Sequence, residues 1–129
     1  MRSISVVLLT LLAAPAQLAL PLAASQRAEI DALLAALQSS ACEFNRNDSW
    51  HNAADAKIHL LRKLDYLEGK NAVQSTEQFI ELAASKSSLS GRAYQVKCGG
   101  AAPVDSKYWL IEQLKLIRST ARPVALSTK

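Results

Sequence analysis

Four polar side chains of this sequence have types and spacings that suit the recognition of an anion. Arg46 and Asn47 stand side by side in a polar stretch, and His59 and Lys63 are four residues apart in an apolar-periodic segment. Residues four apart share one face of a helix, and cationic donors bind carboxylates through charge-assisted hydrogen bonds. The pattern is compatible with a pocket for a carboxylate or a sugar acid, which we keep as the binding hypothesis. We favour the structural alternative, in which Arg46 and Asn47 cap the second helix and His59 packs at the edge of the core.

A serine-rich segment, residues 85–91, is the second place that suggests chemistry. A serine nucleophile with a neighbouring lysine or histidine as its base also needs an orienting group and an oxyanion hole. Neither a G-x-S-x-G elbow nor an S-x-x-K motif with its partner motifs is present. A helix end followed by a glycine-assisted turn explains the same residues. We therefore predict no catalytic residue here, and the segment contributes Ser87, Ser88 and Gly91 to the candidate binding site.

A possible metal site is formed by His51, Asp55 and His59, which stand at positions i, i+4 and i+8 if the second helix starts early. The rise of about 1.5 Å per residue puts the two histidines roughly 12 Å apart, so one ion cannot take all three side chains. Two ligands make a poor zinc site. We expect a polar helix face instead, with Asp55 paired to His59 or Lys57, and neither a metal nor a cofactor.

The N-terminal segment has the composition of a secretory signal peptide. Arg2 precedes an apolar run from Val6 to Leu12, and a zone of small residues follows that is broken by Pro15 and Pro21. A membrane-spanning helix needs about 20 consecutive apolar residues, and this run is too short. We predict a signal peptide over residues 1–24, cleaved near Ala24, and a mature protein without a membrane anchor in the periplasm or secreted.

The chain that remains after cleavage is expected to be a single small domain. Its charge and its two cysteines indicate further properties of this domain. The 15 Lys and Arg residues are interleaved with 11 Asp and Glu residues, which give a formal net charge of +4 for the full chain. This distribution argues against nucleic-acid binding, which favours clustered basic residues with exposed aromatics. A lone pair of cysteines in an oxidising compartment normally bridges. We predict a disulfide between Cys42 and Cys98.

The periodicity of apolar residues predicts a mainly α fold of four helices with a short two-stranded antiparallel ribbon, stapled by the disulfide. The ribbon would pair two alternating segments that each carry one cysteine. The helical domain covers residues 25–120, and residues 121–129 form a frayed tail. Trp50 and Trp109 are expected to be partly buried anchors. The predicted helices cover residues 26–39, 50 or 53 to 68, 76–84 and 107–119, with strands over 41–44 and 94–98.

A set of motifs in a fixed order gives the chain a family resemblance. The motifs are Cys42-x-Phe44-x-Arg46-Asn47, His59-Leu60-x-x-Lys63, Ser75-Thr76-Glu77-Gln78-Phe79-Ile80, Ala83-Ala84-Ser85-x-Ser87-Ser88-x-Ser90-Gly91-x-x-Tyr94-x-Val96 and Trp109-Leu110. Together they resemble the YfeK-like family of small exported bacterial proteins, a domain of unknown function. The family has a glycine after the Arg-Asn pair, where this chain has Asp48. The resemblance implies an exported bacterial location and a shared fold, and it implies no activity.

Two functional hypotheses of different classes follow. The first is a binding or interaction module that docks on an unidentified envelope protein. The alternative is a small periplasmic hydrolase or ligand carrier that uses Arg46, His59, Lys63 and the serine segment. A concave pocket that gathers these elements would favour the alternative, whereas an exposed apolar patch around Trp50 or Trp109 would favour docking on a protein.

Overall fold

A computed structural model of the protein describes residues 20–121, together with Ser3 and Val7. The predicted signal peptide and the predicted tail therefore fall largely outside the described residues. Within residues 20–121, no helix is both long and apolar enough to cross a membrane. The elements in chain order are α1 (Ala24–Ser39), β1 (Glu43–Arg46), β2 (Ser49–Asn52), α2 (Ala53–Gly69), α3 (Thr76–Ala83), β3 (Gln95–Lys97), β4 (Val104–Asp105) and α4 (Ser106–Ala121).

The four predicted helices are confirmed, with shifts of one to three residues at most ends. Helix α1 begins two residues earlier than predicted, after Ala23, and no side chain caps its start. The apolar stripe of α1, with Ile30 and Leu33 at its centre, is completely buried. Helix α4 continues to Ala121. Burial of these stripes against each other forms the core, because an amphipathic helix is stable only when its apolar face is covered.

The predicted two-stranded ribbon is wrong in extent, because the structure has a four-stranded antiparallel sheet in the order β2-β1-β3-β4. The central pair, β1 and β3, is the ribbon that the alternating residues predicted. The two outer strands are only four and two residues long and are mostly exposed. They were missed because strands so short and polar show no alternation of buried and exposed residues.

The hairpin between β1 and β2 explains why the second helix starts late. Asn47 and Asp48 both adopt positive φ, 52° and 67°, between the paired residues Arg46 and Ser49. Two consecutive left-handed residues make a tight turn whose twist matches that of the strands. The chain therefore turns back as β2 instead of entering the helix. Helix α2 starts at Ala53, and it is capped by Asn52, whose side chain accepts a hydrogen bond from Asp55 N at 2.8 Å.

The predicted disulfide is confirmed, and it ties the ends of β1 and β3 together. Cys42 immediately precedes β1 and bonds to Cys98, which immediately follows β3. Next to the bond, Phe44 packs edge-to-face against Trp109, with the ring centroids 5.7 Å apart. Trp109 is half-buried as expected, whereas Trp50 is 38% exposed and lies under the Lys97 ammonium. The staple and this aromatic contact fix the sheet against the helices.

Helix α3 begins with a side-chain hydroxyl cap. Ser75 Oγ accepts a hydrogen bond from Gln78 N at 3.1 Å. The side chain of Gln78 accepts from Gln74 N instead of Ser75 N, so the capping box is displaced by one residue. The segment that follows α3 returns to the sheet through Ser85 O, which accepts from Tyr94 N at 3.0 Å.

Candidate functional site

Arg46, His59, Lys63 and Tyr94 form a connected group, called here the cationic cluster. Arg46 Nη1 lies 2.6 Å from His59 Nδ1. His59 Nε2 lies 3.3 Å from Tyr94 Oη, which also accepts a hydrogen bond from Lys63 Nζ at 3.3 Å. The His59 and Tyr94 rings meet nearly edge-to-face, with centroids 6.1 Å apart. Three of the four members were predicted from the sequence.

Each side chain reaches the cluster from a different position in the fold. Arg46 is the last residue of β1 before the tight turn, and His59 and Lys63 are one turn apart on α2. Tyr94 precedes β3, and its backbone is fixed at both polar groups, because its carbonyl accepts from Ser106 N at 2.8 Å and its N–H donates to Ser85 O. The sheet and α2 therefore hold the cluster between them.

The hydrogen-bond roles within the cluster follow from the chemistry of the groups. Arg46 Nη1 lies 2.6 Å from His59 Nδ1 and 3.2 Å from Nε2, and a guanidinium can only donate. We assign the shorter contact as the hydrogen bond, so that Nδ1 accepts and Nε2 carries the imidazole proton, facing Tyr94 Oη. The phenol oxygen thus accepts from both His59 and Lys63. Its own proton has no acceptor among the described residues, and it is available to donate to a ligand.

The electrostatics of the cluster keep the imidazole neutral. Burial, together with the nearby charges of Arg46 and Lys63, lowers the pKa of His59 to about 4. Burial also lowers the pKa of Lys63, with the Arg46 charge as a second cause. The pKa of Tyr94 is raised by burial, against the opposing effect of Arg46. At neutral pH, two cations therefore stand beside a neutral ring and a neutral phenol.

The two cations of the cluster have no acidic partner. All eleven Asp and Glu side chains lie within residues 20–121, and eight of them form ion pairs with other cations. None of the eleven forms an ion pair with Arg46 or Lys63. Partly buried cations without a counter-charge are costly, so Arg46 and Lys63 lack the ion pairs that eight of the eleven acids make elsewhere in the domain.

Two clefts flank His59 and share it as a wall. The first cleft has a volume of about 320 Å³ and combines polar side chains with an apolar wall. It is lined by Phe44, Asn45, Arg46, His51, Asp55, Ala56, Ile58, His59, Leu60, Arg62, Tyr94 and Ser106. The second cleft has a volume of about 360 Å³ and is lined by His59, Arg62, Lys63, Tyr66, Leu67, Leu82 and Ser88. A concave site thus exists where the sequence placed Arg46, His59 and Lys63.

The other predicted site residues hold the serine segment in place. Asn47 Nδ2 donates to Ser87 Oγ at 3.3 Å, and Asn47 Oδ1 accepts from Ser90 Oγ at 2.6 Å. Ser87 is 4% exposed, and its hydroxyl also accepts from the backbone N–H groups of Leu89 and Ser90. Of the predicted residues, Ser88 lines the second cleft, and Gly91 makes a turn with a φ of 73°.

Two of the structural roles proposed for these residues are not found, whereas His59 is half-buried, in keeping with its proposed place at the edge of the core. Helix α2 is capped by Asn52 and not by Arg46 or Asn47. Asp55 pairs with neither His59 nor Lys57 in the described structure, and Lys57 donates to Gln38. His51 lies on β2 instead of on the helix, and it lines the first cleft. Among the described residues, no three His, Cys, Asp or Glu side chains are grouped to hold a metal ion.

Sequence reasoning missed two residues of the site, Tyr94 and Arg62. Tyr94 was assigned only to a strand, and its contacts with His59 and Lys63 join residues 35 and 31 positions apart in the chain. Arg62 lines both clefts. Arg62 follows His59 by three residues. This i, i+3 spacing places both side chains on one helix face, and it is the pattern in the sequence that indicates Arg62 as a site residue.

The fold and the cleft define a small disulfide-closed domain in which helices pack on a short sheet and a cationic recess opens beside α2. The model of a family described as "Family of unknown function (DUF5329)" matches residues 24–118, and the chain belongs to this family. An uncharacterized protein YfeK of Salmonella typhimurium (strain LT2) is 40% identical over 72 residues, which make up 55% of this chain and 58% of that relative. The YfeK-like resemblance is thereby confirmed. No solved structure matches the chain.

Proposed function

We propose that this protein is an exported binding module that recognises a carboxylate in the first cleft, beside the cationic cluster. The observation that carries the proposal is that Arg46 lines the first cleft and Lys63 belongs to the same cluster, while neither cation forms an ion pair with a side-chain carboxylate. A ligand carboxylate supplies the missing charge. Export is supported by the charged and apolar pattern of residues 1–24 and by the Cys42–Cys98 disulfide.

The donors around the first cleft suit a carboxylate better than a compact uncharged group. Arg46 uses one of its nitrogens on His59, which leaves further N–H donors for a bidentate contact. The Tyr94 hydroxyl proton is a second donor. The apolar wall of Phe44, Ala56 and Leu60 suits an aliphatic group attached to the carboxylate.

The hydrolase alternative has less support from the geometry. Ser87 is buried, and its hydroxyl is occupied by Asn47 and by two backbone donors, so it is poorly placed as a nucleophile. His59 faces Arg46 and Tyr94 instead of a serine hydroxyl. We therefore prefer binding without covalent chemistry.

An NMR titration with N-acetylglycine tests the carboxylate site, with its uncharged methyl amide as the control compound. We expect saturable shifts for the resonances of Arg46, His59 and Tyr94 with the acid only. Arg46→Gln should abolish them, whereas Arg92→Gln, which removes a cation paired to Asp48 at the nearby turn, should leave them unchanged. Equal shifts with the amide, or shifts that survive Arg46→Gln, would contradict the proposal.

A further inference from the structure

The two clefts are successive recesses along one face of α2. His59 and Arg62 line both. The α2 residues of the first cleft centre near Ile58, and those of the second centre near Lys63. Five helical residues correspond to about 8 Å along the axis. A ligand that fills both clefts must therefore cross the ridge made by His59 and Arg62 and place groups roughly 8 Å apart.

Each cleft offers one cation of the cluster and an apolar wall. The first cleft is lined by Arg46 and by the exposed acid Asp55, and the second contains Lys63 without any acidic residue in its lining. Arg62 adds a positive charge to both. The charge of each lining is thus positive, which calls for an acidic group in each cleft.

Exposed apolar side chains lie in and near the second cleft. Tyr66 and Leu82 line that cleft and are 62% and 47% exposed, and Leu89, the next residue after the cleft residue Ser88, is 95% exposed. A small dicarboxylate would leave these side chains in water. A polypeptide that continues past the clefts would cover them, and such coverage is the usual reason for a grouped apolar exposure.

We propose that an extended, acidic peptide segment of a partner protein occupies both clefts, with acidic side chains at positions i and i+2 that meet Arg46 and Lys63. In an extended chain, alternate side chains lie on the same side about 7 Å apart, close to the offset of the clefts. Residues 1–19 and 122–129 contain no Asp or Glu, so neither terminus of this chain supplies the acidic side chains. The inference rests on the proposed carboxylate site and extends it to a partner.

Synthetic peptides with blocked termini test the spacing directly, by isothermal titration calorimetry with the mature protein. The probe is Gly-Glu-Ala-Glu-Gly, its matched control is Gly-Glu-Glu-Ala-Gly with the same composition, and Gly-Glu-Ala-Gln-Gly carries a single acid. We expect the probe to bind about tenfold more tightly than either control, since only the probe makes both charge-assisted contacts. Lys63→Gln should bring the probe to the affinity of the single-acid peptide, and Arg92→Gln should have no effect.

The outcomes separate this inference from the proposed function. If the single-acid peptide binds and depends on Arg46, while the two isomers with paired acids bind equally, the carboxylate site stands and the two-cleft peptide is refuted. Tighter binding of glutarate than of the probe would also refute the peptide, in favour of a small dicarboxylate. If no acidic compound binds, both proposals fail. The comparison of isomers uses the unmodified protein, so it does not depend on the folding of a variant.

Discussion

The pairing of cations with acids differs between two regions of this domain. At the seam of α1, α3 and α4, Arg118 pairs with Glu29 at 2.9 Å and also with Glu77. The hydrogen bond from Arg118 lowers the pKa of Glu29, against the opposing effect of burial. In the cationic cluster, Arg46 and Lys63 face only a neutral imidazole, a phenol and a backbone carbonyl. The fold thus neutralises its own cations at the helical seam and leaves them uncompensated beside the clefts.

The difference indicates which of the two regions serves stability. An ion pair completed within the chain contributes to folding, if only modestly at a surface. A cation left without a partner costs free energy, and such a cost is retained where a ligand later supplies the counter-charge. The contrast gives measurable expectations, because the same kind of substitution should have different consequences in the two regions.

Removal of the disulfide has the largest expected effect on the free energy of unfolding. The bond closes a separation of 56 residues and joins β1, which carries Arg46, to β3, which follows Tyr94. By the chain-entropy relation, replacing both cysteines with serine should lower the free energy of unfolding by about 4 kcal/mol. Urea denaturation measures this loss. Hydrogen exchange should accelerate more in β1 and β3 than at the α1–α4 seam, and uniform acceleration would show that the bond does not support the cluster selectively.

Substitution of Asn47 has the next largest expected effect on the free energy of unfolding, because Asn47 forms part of the turn and also hydrogen-bonds to the serine segment. Asn47→Ala should cost about 2–3 kcal/mol of unfolding free energy, through a disfavoured positive φ and two lost hydrogen bonds. Asn47→Gly is the matched control, since glycine tolerates the turn and loses only the hydrogen bonds. It should cost about 1 kcal/mol. Thermal denaturation of both variants decides the matter, and equal losses would assign the whole effect to the side-chain contacts.

Acidification should weaken the cluster before it affects the helical seam. Because the pKa of His59 is about 4 when folded and 6.5 is its ordinary value, the unfolded chain binds a proton between these values that the folded chain excludes. The free energy of unfolding therefore falls as the pH decreases through this window, by about 1–2 kcal/mol after allowance for solvent screening. Urea denaturation at pH 7 and pH 5 measures the loss. In His59→Gln the slope should disappear, and an unchanged slope would place its origin elsewhere.

Most of the core and three members of the cluster were accessible to sequence reasoning for clear physical reasons. Buried stripes such as that of Ile30 and Leu33 repeat with the helical period, and the spacing of His59 and Lys63 places them on one face. The outer strands were missed because β2 depends on the positive φ of Asn47 and Asp48, which no apolar pattern reveals. Tyr94 was missed because its role depends on tertiary contacts with α2.

The smallest effect is also the sharpest test of the comparison, since the two variants are expected to differ in sign. Arg118→Gln removes a cation from two acidic partners and should lower the free energy of unfolding by up to about 1 kcal/mol. Arg46→Gln breaks no ion pair, relieves repulsion with Lys63 and keeps an N–H donor in place of the guanidinium that donates to His59. It should leave stability at pH 7 unchanged or raise it by about 0.5 kcal/mol or less, the usual range for changes away from the core.

A second readout separates the electrostatic effect of Arg46 from its structural one. Without the Arg46 charge, the pKa of His59 should rise, although it should stay below 6.5 because burial, the larger cause of its depression, remains. The imidazole resonances in a pH titration report this shift, and Arg118→Gln should leave them where they are. If Arg46→Gln destabilises the protein as much as Arg118→Gln does and the His59 titration does not move, Arg46 is a structural residue. The cluster would then be no more a binding site than the seam is.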